Sequence, residues 1–169
     1  MKQVITFCLL LLIASSSSFA QAKQKIGHIN SNDLLLLMPE RDSAEASLKS
    51  YAGQLELQLA SMTQEYEKKL TDYEQNKGVM TDLIREEKEQ DILSIQRRIQ
   101  EFQAKAQESL QKKESELMRP LVDKANAAIK AVADGNGFTY ILDTSVGVVL
   151  HYPESDDILP LVRKHLGIN

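Results

Sequence analysis

Cysteine occurs once, at Cys8, tryptophan is missing altogether, and aromatic residues make up only 5% of the 169 positions. A single cysteine excludes a disulfide-stapled fold, and so few aromatics would leave an ordinary enclosed core of this size underfilled. Proline is scarce too, four in all, and none falls between Pro39 and Pro120. Long uninterrupted helix is therefore permitted. Basic residues are outnumbered, 20 Lys plus Arg against 24 Asp plus Glu, which counts against a nucleic-acid binder that neutralises phosphates. An apolar content of 43% excludes a disordered tail. Catalytic signatures are lacking as well: there is no G-x-S-x-G, no cysteine beyond Cys8 and no glycine-rich phosphate loop. His28, His151 and His165 have no ligand-like spacing, so the sequence calls for no metal, no cofactor and no enzymatic activity.

The one long apolar run is residues 4–14, preceded by Lys2 and followed by Ser15 to Ser18 and the small residues Ser18 and Ala20 around Phe19. Charge, apolar stretch and small-residue site in that order predict a cleaved secretory signal over residues 1–20. The run is about half the ~20 residues of a spanning helix. Cleavage after Ala20 leaves 149 of the 169 residues and removes Cys8. Thr6 and Phe7 are not the small residues that precede a lipid-modified cysteine, so no lipid anchor is expected.

In the mature chain, residues 25–30 (KIGHIN) predict a short strand, and Ser31, Asn32 or Asp33 can cap a turn or two of helix over Leu34 to Met38. Residues 40–119 are rich in Glu, Gln, Lys, Leu and Ala, a long-helix composition. Their apolar spacing is informative. Leu48, Ala52, Leu55, Leu59, Met62 and Tyr66 step by 4, 3, 4, 3 and 4, with Tyr73 seven further on; Ile92, Ile95, Ile99, Phe102, Ala106 and Leu110 step by 3, 4, 3, 4 and 4. Both are coiled-coil seams, and they are mirror images about residue 79. An antiparallel hairpin needs that symmetry, because each layer pairs one residue from each leg. Asn76, Lys77 and Gly78 supply a turn, and Thr81 or Asp82 can cap the returning helix. Each leg would then be about 45 Å long. One continuous helix in a parallel dimer is the alternative, since an exposed glycine costs a helix only about 1 kcal/mol.

Beyond Pro120, where a kink or restart is expected, the helical pattern continues through Leu121, Ala125, Ala128 and Val132 to a stop at residues 134–137 (DGNG). Residues 138–143 (FTYILD) and 146–152 (VGVVLHY) read as a β-hairpin, and Asp156 and Asp157 open a last helix with Pro160 in its first turn. Alternation puts Phe138, Tyr140, Leu142, Val148 and Leu150 on one face and Ile141 with Val149 on the other. Too little chain remains to cover both faces of so small a sheet. Self-association through that sheet follows, with Ile26, Ile29, Phe138, Tyr140, Leu142, Val148 and Leu150 as oligomerisation candidates.

A signal, a KIGHIN strand, a leucine-rich turn ending at Pro39, a long charged helical hairpin, GFTYILDTSVGVVLHY and an acid-capped last helix together resemble the Skp/OmpH family of periplasmic chaperones, over essentially the whole mature chain. The resemblance implies an α+β fold: a helical hairpin arm on a small β-sheet body, three copies forming a jellyfish-like homotrimer. It also implies a periplasmic holdase that needs neither ATP nor metal and shelters unfolded outer-membrane β-barrel proteins between its arms. The corresponding division is signal 1–20, body 21–39 and 120–169, and arm 40–119 with its tip near 76–82. Well-known members have strongly basic arms. Here residues 40–119 carry 13 Lys plus Arg and 17 Asp plus Glu, which argues against a lipopolysaccharide or acidic-lipid site.

A holdase works through many weak contacts that keep apolar client strands apart. Candidate client contacts are Met62, Tyr66, Leu70, Tyr73, Val79, Met80, Leu83 and Ile84, adaptable or large residues toward the tip. Met62, Tyr66 and Tyr73 sit on the seam and are better explained as hairpin packing, whereas Leu70, Val79 and Met80 lie off it or at the turn. Lys68, Lys69, Lys77, Arg85, Lys88, Arg97 and Arg98 are interleaved with acids and read as a solvated face. A structural spacer or adaptor of the cell envelope would use the same composition, but would favour one continuous helix.

Overall fold

The computed structural model describes residues 24–168; the signal reading falls on residues outside that range. The element order is β1 (Ile26–Ile29), α1 (Ser31–Leu37), α2 (Glu40–Asn76), α3 (Asp82–Asn136), β2 (Tyr140–Asp143), a 3-10 turn (Glu154–Asp156) and α4 (Leu159–Leu166). The architecture is α+β and mostly helical, with two long antiparallel helices and a two-stranded sheet. The chain divides into two units, one of residues 32–127 and one of residues 24–31 with 128–167.

In the first unit, α2 opens directly after Pro39 with Glu40 and Asp42 in its first turn, acids that favour the positive end of the helix. Its end is a tight turn in which Lys77 N–H donates to the Tyr73 carbonyl at 2.8 Å and Val79 N–H to Asn76 at 3.0 Å. Thr81 then starts α3, its carbonyl accepting from Arg85 N–H at 2.9 Å. The chain thus reverses over residues 77–81, which rules out the continuous helix. Polar contacts tie the two legs together: Tyr51 Oη with Ser109 Oγ at 2.6 Å, Lys69 with Asp91 at 3.0 Å, Lys88 with Asp72 at 3.4 Å, Tyr73 with Glu89, and Lys124 with Glu40. Met62, Ile92 and Ile95 are the buried seam positions, and Leu34, Met38, Ala44, Leu121 and Ala125 are buried as well.

Pro120 lies inside α3 without interrupting it. It neither restarts the helix nor ends it; its missing N–H leaves the Glu116 carbonyl without the usual helical donor, and one lost bond is tolerable in 55 residues. The stop at the DGNG stretch is a glycine cap: Gly137 adopts φ 71°, and Phe138 N–H reaches back to the Ala133 carbonyl at 3.0 Å.

In the second unit the strands differ from expectation. β2 does not fold back on residues 146–152; it pairs in parallel with β1, Ile26 opposite Tyr140 and Ile29 opposite Asp143. No strand forms over residues 146–152, where Gly147 takes φ 69° and the β-rich sequence finds no partner. The 3-10 turn and α4 follow: His28 bridges to Asp157, Ile158 N–H donates to the His28 carbonyl at 3.0 Å, and Asp157 Oδ1 accepts from Leu159 N–H at 2.9 Å. Ile29, Ala128, Val132, Ile158 and Val162 form the buried interior. Gly27 is required there. A Cβ at that position would lie 2.8 Å from Phe138 Cε1 and 3.0 Å from both Ile141 Cδ1 and Ile158 Cγ2.

Candidate functional site

Two surfaces stand out, one in each unit. The first is the tip of the hairpin. The turn that reverses the chain is too short to bury what it carries, so Val79 is 88% and Leu83 76% exposed, with Ile84 exposed beside them and Met80 half-buried. Leu70, Tyr66 and Tyr73 are half-buried along the legs, and Met62 is buried. Met62 is therefore core, as its heptad position implies. Tyr73 donates its hydroxyl to Glu89, which together with burial pushes the phenol above its usual range. Lys69, Lys77, Arg85 and Lys88 are each engaged with an acid, respectively Asp91, Glu74, Asp82 and Asp72. All four pairs are well exposed to water, where such pairs contribute little.

The second surface is the sheet. Among the described residues β2 has a neighbour on one side only, so the other edge presents open backbone groups. Tyr140 and Leu142 are exposed on it, and Val146, Val148 and Leu150 follow at 72%, 77% and 93% exposure. Ile26 is 45% exposed, and with Leu142, Val149, Tyr152 and His28 it lines a cavity of about 210 Å³. Two of the candidate oligomerisation residues sit elsewhere. Ile29 is 2% exposed and fills the unit's own interior, and Phe138 turns its ring toward Gly27 rather than joining Tyr140 and Leu142. Phe138 precedes β2, so strand alternation does not reach it.

Two polar groups, His28 and Asp143, organise this unit. His28 is buried at 6% exposure; its Nε2–H donates to the Pro153 carbonyl at 2.9 Å and its ring meets Tyr152 at 4.3 Å. It thereby fixes the chain that leads into α4. Asp143 ends β2 and receives Ser31 Oγ at 2.6 Å, Ser31 N–H at 3.2 Å and Ser145 N–H at 2.9 Å. Burial would raise this carboxyl, but the donors from Ser31 and Ser145 outweigh it and hold Asp143 below the ordinary carboxylate range. The pattern Asp-Thr-Ser is the visible signal, since an aspartate accepting from the N–H two residues on is a common turn. Its second partner, 112 positions away, has no local signature.

Comparison with known proteins agrees with this geometry. The family described as "Outer membrane protein (OmpH-like)" matches residues 25–166. The chaperone protein Skp of Pectobacterium atrosepticum is 24% identical, the alignment covering 98% of this chain and 99% of that protein. A crystal structure of an OmpH-like protein from Caulobacter crescentus superposes with a TM-score of 0.73 at 15% identity, covering 89% of this chain and 88% of that one.

Proposed function

Because the chain belongs to the OmpH-like outer membrane protein family, we propose that it is a periplasmic holdase that keeps unfolded outer-membrane β-barrel proteins from aggregating, without nucleotide. The observation that carries the reading is the hairpin whose far end leaves Val79, Leu83 and Ile84 in water. Apolar groups that a protein could have buried, held out on a long arm, suit transient contact with an unfolded chain. Contacts of this kind are individually weak and need no sequence recognition, so holding arises from many of them together. Leu70, Met80, Tyr66 and Tyr73 extend the same surface down the legs as partly covered groups. A spacer would have no use for a reversal at residues 77–81.

The assembly proposed is a homotrimer joined through the sheet. An open β2 edge and the exposed run Val146, Val148 and Leu150 make a lone copy of this unit a poor end state, since an unpaired apolar edge invites further pairing. Ile26, Tyr140 and Leu142 would lie in that interface. Export to the periplasm rests on the signal reading of residues 1–20.

The test combines mass and function. Purified mature chain should have the mass of three copies and should keep a urea-unfolded β-barrel membrane protein soluble on dilution without ATP. A dimer, or aggregation of the client at the rate seen without the chain, would replace this reading with the adaptor.

A further inference from the structure

The acid excess of the arm is not spread along it. Residues 40–119 hold 13 basic and 17 acidic side chains; residues 63–91 account for 5 and 9 of them, leaving 8 of each in the rest of the arm. The whole net charge of -4 therefore lies in the distal third. Ion pairing sharpens the contrast, since Lys69, Lys77, Arg85 and Lys88 are taken by Asp91, Glu74, Asp82 and Asp72. Glu65, Glu67, Glu86, Glu87 and Glu89 form no ion pair among the described residues, and all five are exposed. Within residues 63–91, Lys68 is the one basic side chain outside these pairs.

Placement matters as much as number. Glu86 and Glu87 follow Leu83 by three and four positions in α3, so they stand one turn from it on the same face, about 5–6 Å away between Cβ atoms. Leu83 is 76% exposed, and Val79 in the preceding turn is 88% exposed. Apolar groups and unpaired carboxylates thus share one end of the hairpin. No buried residue occurs between Met62 and Ile92, so this end has no interior into which Leu83 or Val79 could retreat.

We propose that the tip, Val79, Leu83 and Ile84 with Glu86 and Glu87, is a docking surface for apolar segments of an unfolded polypeptide that carry Lys or Arg within a few residues. Charge complementarity decides the partner. An apolar segment flanked by carboxylates would meet uncompensated like charge, while a cation beside the apolar residues gives Glu86 and Glu87 the partner they lack. The inference rests on the holdase reading and adds a preference to it: clients are engaged first at their basic-flanked apolar stretches.

Two peptides with one shared apolar core, flanked by Lys in one and by Glu in the other, test this by fluorescence anisotropy against the full mature chain. The Lys-flanked peptide should bind about threefold to tenfold more tightly at low salt, the range expected of two exposed charge pairs. That preference should vanish at ~0.5 M salt, where the screening length falls to a few ångströms. Glu86→Gln with Glu87→Gln should abolish the preference and keep the helical signal; Val79→Ser with Leu83→Ser should weaken both peptides. Equal binding of the two peptides, or no effect of either pair of substitutions, overturns the proposal. So does a tip that binds phosphatidylcholine vesicles and neither peptide. Solubility of the unfolded client is measured in parallel: clients held without a charge preference would refute the tip assignment alone, and peptide preference without holding would refute the holdase reading alone.

Discussion

Replacing Gly27 by alanine isolates one steric requirement of the sheet unit. The added Cβ would sit 2.8 Å from Phe138 Cε1 and 3.0 Å from Ile141 Cδ1 and Ile158 Cγ2. The Ile141 terminus can rotate away, and the Phe138 ring, half-buried under the Lys25 ammonium, can tilt. Ile158 cannot: its Cγ2 is fixed to a branched carbon and the residue is 1% exposed. Overpacking of this kind costs about 1–3 kcal/mol. Alanine in a strand recovers about 0.5–1 kcal/mol of the backbone entropy that glycine loses. Taken at their midpoints, the two leave a destabilisation of about 1.2 kcal/mol, or roughly an eightfold rise in local opening. Amide hydrogen exchange reads it directly at Thr144 and Ile158, whose N–H groups bond the Ile29 and His28 carbonyls at 2.9 and 3.0 Å. Both should exchange faster in Gly27→Ala, and the effect should shrink in an Ile158→Ala background, where the clashing methyl is gone. Unchanged or slower exchange at both amides would refute the packing argument.

Further outcomes follow from other residues. Asp143→Asn should destabilise the sheet unit by about 1 kcal/mol at neutral pH through loss of an acceptor for Ser31, measured by urea unfolding. Because the folded carboxyl titrates below its unfolded value, the wild-type advantage should hold above pH ~4 and fade as pH falls through the lower folded value; an advantage that persists in stronger acid would contradict the assigned hydrogen bonds. Ile95→Ala, at 2% exposure, should cost the arm about 2–5 kcal/mol, while Leu57→Ala, at 74% exposure, should stay within about 0.5 kcal/mol in the same denaturation assay. Val148→Asp or Tyr140→Asp should reduce the mass to a single copy with little loss of helical signal; retention of the larger mass in both would place the interface elsewhere.

The arm was legible because its information is local and repeated. Every third or fourth residue from Leu48 to Tyr66 and from Ile92 to Leu110 restates the same seam, and Asn76, Lys77 and Gly78 supply the turn beside the centre of the mirror symmetry. The sheet was half legible. Residues 26–29 and 140–143 read as strands from their composition, but composition does not name a partner, and the local rule favours the nearest β-rich run over one more than a hundred positions away. The Asp143 contacts were hidden for the same reason: the half made with Ser145 is written in three adjacent residues, the half made with Ser31 is not. The net charge of the arm was plain from the first count. Its concentration in residues 63–91 can be counted there too, but which of those acids lack a cation depends on side-chain geometry that no count contains.

The pairing of β1 with β2 makes everything between residues 30 and 139 one loop within a parallel crossover. Closing so long a loop in an unstructured chain is entropically unfavourable and slow, each doubling of length adding about 0.6 kcal/mol. Here the hairpin can form first from neighbouring sequence, and its own foot brings Glu40 and Lys124 together. What remains to be closed is then only the short stretch on either side. Removing equal numbers of turns from both legs would leave that closure unchanged, so arm length is free to vary while the sheet stays the same.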